Sequence, residues 1–127
     1  MKPCQAGRSV SPHCDSKHKL GSHLFYFNSE EDWDRAWGGE TLILDDGGRF
    51  PRKSGPKFED FDSAIAAEAL GNRSLLFRST GKSWHGVKAV TCPEGYLRKV
   101  FIVVINRRNQ ADRLRRLFGR PIKGRAA

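Results

Sequence analysis

Residues 97–106 read LRKVFIVVIN, and from Val100 to Ile105 the run is apolar and mostly β-branched. An apolar run without alternation is the pattern of a central strand buried on both faces. A turn signal, Pro93-Glu94-Gly95, precedes it. Moving outward, shorter strand-like segments recur at 86–90 (GVKAV), 74–78 (SLLFR), 40–44 (ETLIL) and 23–28 (HLFYFN). A further short strand is expected near residues 9–15. Between them lie Gly and Pro turns and one long loop, 45–58. Helical signals are few. SEEDWDRAW (29–37) suits one or two turns capped by Ser29, and residues 58–70 suit a short helix. ADRLRRLF (111–118) carries Leu114, Leu117 and Phe118 at helical spacing before Gly119 and Pro121. Short strands broken by turns predict a mainly β domain, a sandwich or barrel, with a short C-terminal helix.

The chain has 127 residues, one domain's worth. Its net charge of +9 is uneven: residues 1–20 carry +3, residues 21–106 carry −1 and residues 107–127 carry +7. The expected organisation is therefore a nearly neutral core over 1–106 and a basic helix or tail over 107–127. That distribution argues against the whole domain as a nucleic-acid binder and leaves an electrostatic role to the tail alone. No apolar run approaches the length of a membrane span, and no secretory signal is expected behind Met1. Three cysteines (Cys4, Cys14 and Cys92) are an odd number, which disfavours a disulfide framework and points to a reducing cytoplasm.

His13 and Asp15 flank Cys14. On a strand they share a face, which places an imidazole beside a carboxylate. His85, in Trp84-His85-Gly86, offers a third ligand. Two His and one carboxylate on one side of an ion, with the other side open, form the facial triad of non-haem iron oxygenases. Arg98 follows His85 by 13 residues at the entrance of the apolar strand. A cation there must find an anion or reach water, and its planar fork suits a carboxylate better than neighbouring Lys99 does. Trp84 is expected to line the same pocket from the other side of the strand bend.

The ordered series His13-x-Asp15, Tyr26-Phe27-Asn28, Trp37-Gly38-Gly39-Glu40-Thr41-Leu42, Ser83-Trp84-His85-Gly86-Val87 and Arg98 resembles the 2-oxoglutarate- and Fe(II)-dependent dioxygenase superfamily. It is most similar to the branch of prolyl 4-hydroxylase catalytic domains. The resemblance implies a double-stranded β-helix, or jelly roll. It implies Fe(II) held by His13, Asp15 and His85, and 2-oxoglutarate as a small-molecule co-substrate with its distal carboxylate on Arg98. It also implies ascorbate as an accessory reductant. The implied activity is hydroxylation of an organic substrate, an amino-acid side chain in a protein or a small molecule or sugar, with release of succinate and CO2. Only 12 residues precede His13, and about six strands are countable where a jelly roll has eight. The expectation is an N-terminally truncated relative lacking the first strand, with self-association through an unpaired sheet edge.

Other readings compete with this one. Cys4, Cys14, His18 and His23 are a zinc-type set without the tight C-x2-C half that marks structural sites. The chain is alternatively an inactive jelly-roll remnant, or a binding module whose basic tail contacts an acidic partner or nucleic acid. The tail has little aromatic interleaving, so nucleic acid is disfavoured. The simpler expectation docks Leu114, Leu117 and Phe118 on the sheet and leaves the arginines in water.

Overall fold

Along KLGSHLFY, alternate residues are buried: Ser22, Leu24 and Tyr26 face inward, while His23 and Phe25 are less covered. That period of two is a strand with one face on a core. In the computed structural model, which describes residues 7–119, this strand is β2 (Lys19–Tyr26). The others are β1 (Val10–His13), β3 (Thr41–Asp45), β4 (Ser63–Ala67), β5 (Arg73–Arg78), β6 (Trp84–Val87) and β7 (Val100–Asn106), followed by helix α1 (Gln110–Leu117). They form two antiparallel sheets, ordered β1-β6-β3-β4 and β5-β2-β7. The chain passes from one sheet to the other at every connection except the β3–β4 hairpin. The Tyr26 hydroxyl bonds Thr41, and the Phe77 ring lies 4.6 Å from that of His85, so the sheets face each other. This is the mainly β, jelly-roll architecture expected above.

The outer face of the four-stranded sheet is covered by the long loop. Leu42, Leu44 and Trp84 pack there with Cys14, Phe50, Phe58 and Phe61. Asp46 pins this loop, accepting from the Gly48 N–H (3.0 Å) and the Phe50 N–H (2.8 Å). These bonds, the Phe50 N–H above all, hold its carboxyl below the ordinary value. The stability it contributes is therefore present above that ordinary value and lost as pH falls through the lowered one. Asp46→Ala is expected to destabilise the domain by about 2 kcal/mol at neutral pH. Thermal melts should show the gap between variant and parent closing as pH falls below the ordinary carboxylate range; a gap independent of pH would refute this role.

The structure corrects several sequence expectations. Residues 58–70 are not a helix. A 3-10 turn, Phe58–Asp60, leads into β4, which pairs Ser63 to Ala67 with Asp45 to Thr41. The alanines favour helix, but the hairpin overrides that local preference. This is why there are seven strands among the described residues rather than six. At 29–37 only Arg35–Trp37 is helical, capped by Asp34 rather than Ser29. β6 begins at Trp84, two residues before the expected start, because its pairing with Leu42 to Leu44 extends that far. β7 is not central. Among the described residues it pairs with β2 alone, and Phe101, Ile102, Val103 and Ile105 are exposed. An apolar run reports strand propensity, whereas burial depends on neighbours that the run does not encode. Leu114, Leu117 and Phe118 are also exposed rather than docked. Cys92 is disulfide-bonded, against the expectation of reduced thiols, while Cys14 is free. The tail beyond Gly119 lies outside the described residues, as does Cys4. Among the described residues no helix is long and apolar enough to cross a membrane.

Candidate metal centre

β1 ends at His13, and β6 lies antiparallel beside it with His13 opposite His85. The two imidazole rings are 4.3 Å apart. Asp15 follows two residues on, its carboxylate turned to the same side, while Cys14 between them packs on the outer cluster. His13, Asp15 and His85 each offer one ligand atom, all within 4.8 Å of one another. Asp15 Oδ1 is 3.9 Å from His13 Nε2 and 3.8 Å from His85 Nε2. Among the described residues, one group of His, Cys, Asp or Glu meets that spacing, and it is this one.

The histidines are oriented for coordination. His13 Nδ1 lies 2.9 Å from the Ser11 carbonyl oxygen, and His85 Nδ1 lies 2.9 Å from that of Ser83. A carbonyl only accepts, so each Nδ1 carries the proton and each Nε2 presents its lone pair to Asp15. Such outer hydrogen bonds fix ring orientation in metal sites. Burial holds the His85 pKa below its ordinary value. At neutral pH that ring is neutral, as a ligand must be. Asp15 and His85 are buried, whereas the His13 side chain is 44% exposed, leaving one side of the group open.

Asp15 is further held by Ser79 Oγ donating to Oδ2 (3.2 Å), by Lys19 Nζ on Oδ1 (3.4 Å) and by Arg52 donating to its main-chain carbonyl. Sequence reasoning gave none of these three a role. They come from β2, β5's exit and the long loop, and no spacing rule links them.

Arg98 enters the opposite end of the sandwich. Asn28, almost fully buried, clamps the chain on both sides of it. The Asn28 amide donates to the Leu97 carbonyl (2.8 Å), and its carbonyl accepts from the Lys99 N–H (2.6 Å). Lys99 turns outward to an ion pair with Asp32, and Arg98 turns inward. Its Nε donates to the Gly39 carbonyl (2.6 Å), and its guanidinium lies 5.9 Å from the centre of the Tyr26 ring. Gly39 has φ +92°, and a Cβ there would come within 3.1 Å of Arg98 Nε. A glycine meets both requirements. One terminal nitrogen, Nη2, is buried with no hydrogen-bond partner. Burial works against the Arg98 charge. A half-buried guanidinium with one buried nitrogen unpaired has a donor left for an anion. Beside it, the Tyr26 hydroxyl donates to Thr41 Oγ1 (2.7 Å). Both residues stood in the matched motifs without an assigned role.

Register relates the two centres. His85 pairs with Ile43, and Thr41 is two residues earlier on β3, a rise of about 7 Å. Thr41 and Ile43 share a face of β3, so the Tyr26–Thr41 pair beside Arg98 and the His-Asp-His group face the same interior.

Trp84 points away from this interior, into the aromatic cluster of Phe50 and Phe61. It does not line the pocket, because adjacent strand residues face opposite ways. The zinc-type set does not assemble either. Cys14 faces the outer cluster, His18 Nε2 lies 3.3 Å from Ser16 Oγ, and His23 Nε2 lies 3.0 Å from Ser74 Oγ. Burial pushes the Cys14 thiol from 9.0 up to about 11. Its alkylation at pH 8 is expected to be roughly 100-fold slower than in the denatured chain, because the thiolate is the nucleophile. Mass-spectrometric timing with iodoacetamide checks this, and equal rates would place the thiol in water.

A family model described as the 2OG-Fe(II) oxygenase superfamily matches residues 2–106. No curated protein matches the chain with significance.

Proposed function

The chain belongs to the 2OG-Fe(II) oxygenase superfamily, and from that premise we propose that it is a 2-oxoglutarate-dependent dioxygenase hydroxylating a C–H bond of an organic substrate. In this reading His13, Asp15 and His85 hold Fe(II), and Arg98 takes the distal carboxylate of 2-oxoglutarate. The balanced reaction is R–H + O2 + 2-oxoglutarate → R–OH + succinate + CO2. The resemblance to prolyl 4-hydroxylase catalytic domains, and ascorbate as a reductant for the iron, belong to the same proposal.

One observation carries it: two Nε2 lone pairs and one carboxylate oxygen converge while both Nδ1 atoms are committed to backbone carbonyls. The residues fit the implied groups. Two neutral imidazoles and one carboxylate are the donor set that suits non-haem iron. The unpartnered Arg98 nitrogen suits a carboxylate at the other end.

When bound, iron supplies the one-electron and O2 chemistry that amino-acid side chains lack. The chain's own residues do the rest. Ser11 and Ser83 fix the imidazole tautomers. Asp15 is paired with Lys19 and oriented by Ser79. Asn28 and Gly39 hold the Arg98 fork inward, so that a diacid gripped there extends toward the triad. The half-exposed His13 side leaves an approach for the substrate.

Anaerobic titration tests the reading. Fe(II) should bind one per chain, and 2-oxoglutarate should then raise the weak visible charge-transfer band of the chelate. No band at saturating iron and 2-oxoglutarate would overturn the assignment and favour a jelly-roll binding module.

A further inference from the structure

A cleft of about 340 Å³ opens beside Asp15, at the end of the sandwich opposite Arg98. β2 begins there with Lys19 and ends at Tyr26 near Arg98, and β7 begins beside Arg98 and leads back to Arg107 in the cleft. The metal candidate therefore lies between the diacid receptor and the cleft. Lys17, Lys19, Arg52 and Arg107 line it, and Asp15 is its one carboxylate. Arg52 and Lys19 are already ordered against Asp15, and Ser79 adds a hydroxyl.

We propose that this cleft is the primary-substrate site and that it selects a small molecule bearing a phosphate or carboxylate group. The inference rests on the metal reading above. Four cations around one carboxylate leave an excess positive field in a concave site, which concentrates anions. The volume suits a small molecule. The excess grows when an ion takes Asp15 Oδ1. Lys19 then loses its counter-charge, 3.4 Å away here, and its ammonium is free for the substrate's anion. Metal and anion binding are thereby coupled, and the coupling is reciprocal. An anion anchored on Lys17, Lys19, Arg52 and Arg107 lies beside Asp15, the member of the triad that lines the cleft.

The test uses inorganic phosphate, with acetate as a second arm that separates the two anion types, and Mn(II) as a paramagnetic stand-in for iron. Phosphorus-31 NMR of the full chain should show salt-sensitive phosphate binding that tightens about fivefold on manganese loading. The signal of bound phosphate should broaden with manganese present. Lys17→Glu with Arg107→Glu, both at exposed positions, should weaken phosphate roughly tenfold. The neutral pair K17M/R107M should fall between, which guards against a folding defect. His85→Ala should keep phosphate binding and lose the broadening. Unchanged affinity in the charge-reversed variant would overturn the proposal, as would loss of phosphate binding in Arg98→Met. Phosphate binding that responds to the charge reversal without any manganese uptake would support the anion cleft and overturn the metal reading instead.

Discussion

His85→Ala is expected to remove Fe(II) binding and with it all 2-oxoglutarate turnover. Three protein ligands hold the ion in this account, and His85 is the buried one of the two imidazoles. Losing an outer hydrogen-bond partner of a ligand lowers metal affinity about 10–100-fold, so losing the ligand itself should exceed 100-fold. Calorimetry with Fe(II) under anaerobic conditions measures it. His13→Ala should behave in the same way. With a half-exposed side chain, it leaves the core intact and separates metal loss from unfolding. His23→Ala is the control, because that ring bonds Ser74 away from the triad, and it should bind iron as the parent does. Parental affinity in both triad variants would show that the ion sits elsewhere.

Arg98→Met should split binding from stability. Methionine preserves much of the stem and deletes the guanidinium. Truncating one partner of a buried charge pair costs about 2–5 kcal/mol, so 2-oxoglutarate affinity should fall on the order of 100-fold with iron binding retained. In the absence of 2-oxoglutarate the sign reverses. The parent carries a half-buried cation with one buried, unsatisfied donor, and an apolar replacement of similar shape relieves that penalty. Thermal melts without ligand should therefore show the variant at least as stable as the parent. A variant that keeps 2-oxoglutarate affinity would remove Arg98 from the site. A variant strongly destabilised without ligand would make it a structural residue.

The parts of this fold that were legible in the sequence were those encoded within a few residues. The aromatic-rich stretch 23–28 and the turn glycines announced strands, and His13-x-Asp15 announced a shared face. His85 and Arg98 were offered from their own segments and tied to His13 and Asp15 by the ordered motif series, since no local rule joins β1 to β6 across about 70 residues. What stayed hidden was set by tertiary neighbours. β4 reads as helix until it pairs with β3, and β7 reads as central until its outer edge is found without a partner among the described residues. The same holds within the site. Lys19, Ser79 and Arg52 meet at Asp15 from three separate segments. Asn28 aims Arg98 through bonds to Leu97 and Lys99, about 70 residues away in the chain. Neither arrangement leaves a spacing in the sequence.

Anomalous diffraction from crystals grown anaerobically with Mn(II) and 2-oxoglutarate tests the centre of the account most directly. One manganese peak is expected at about 2.0–2.2 Å from His13 Nε2, Asp15 Oδ1 and His85 Nε2, with the far carboxylate of 2-oxoglutarate on the free nitrogen of Arg98. A peak at any other cluster, or a diacid bound away from Arg98, would contradict it.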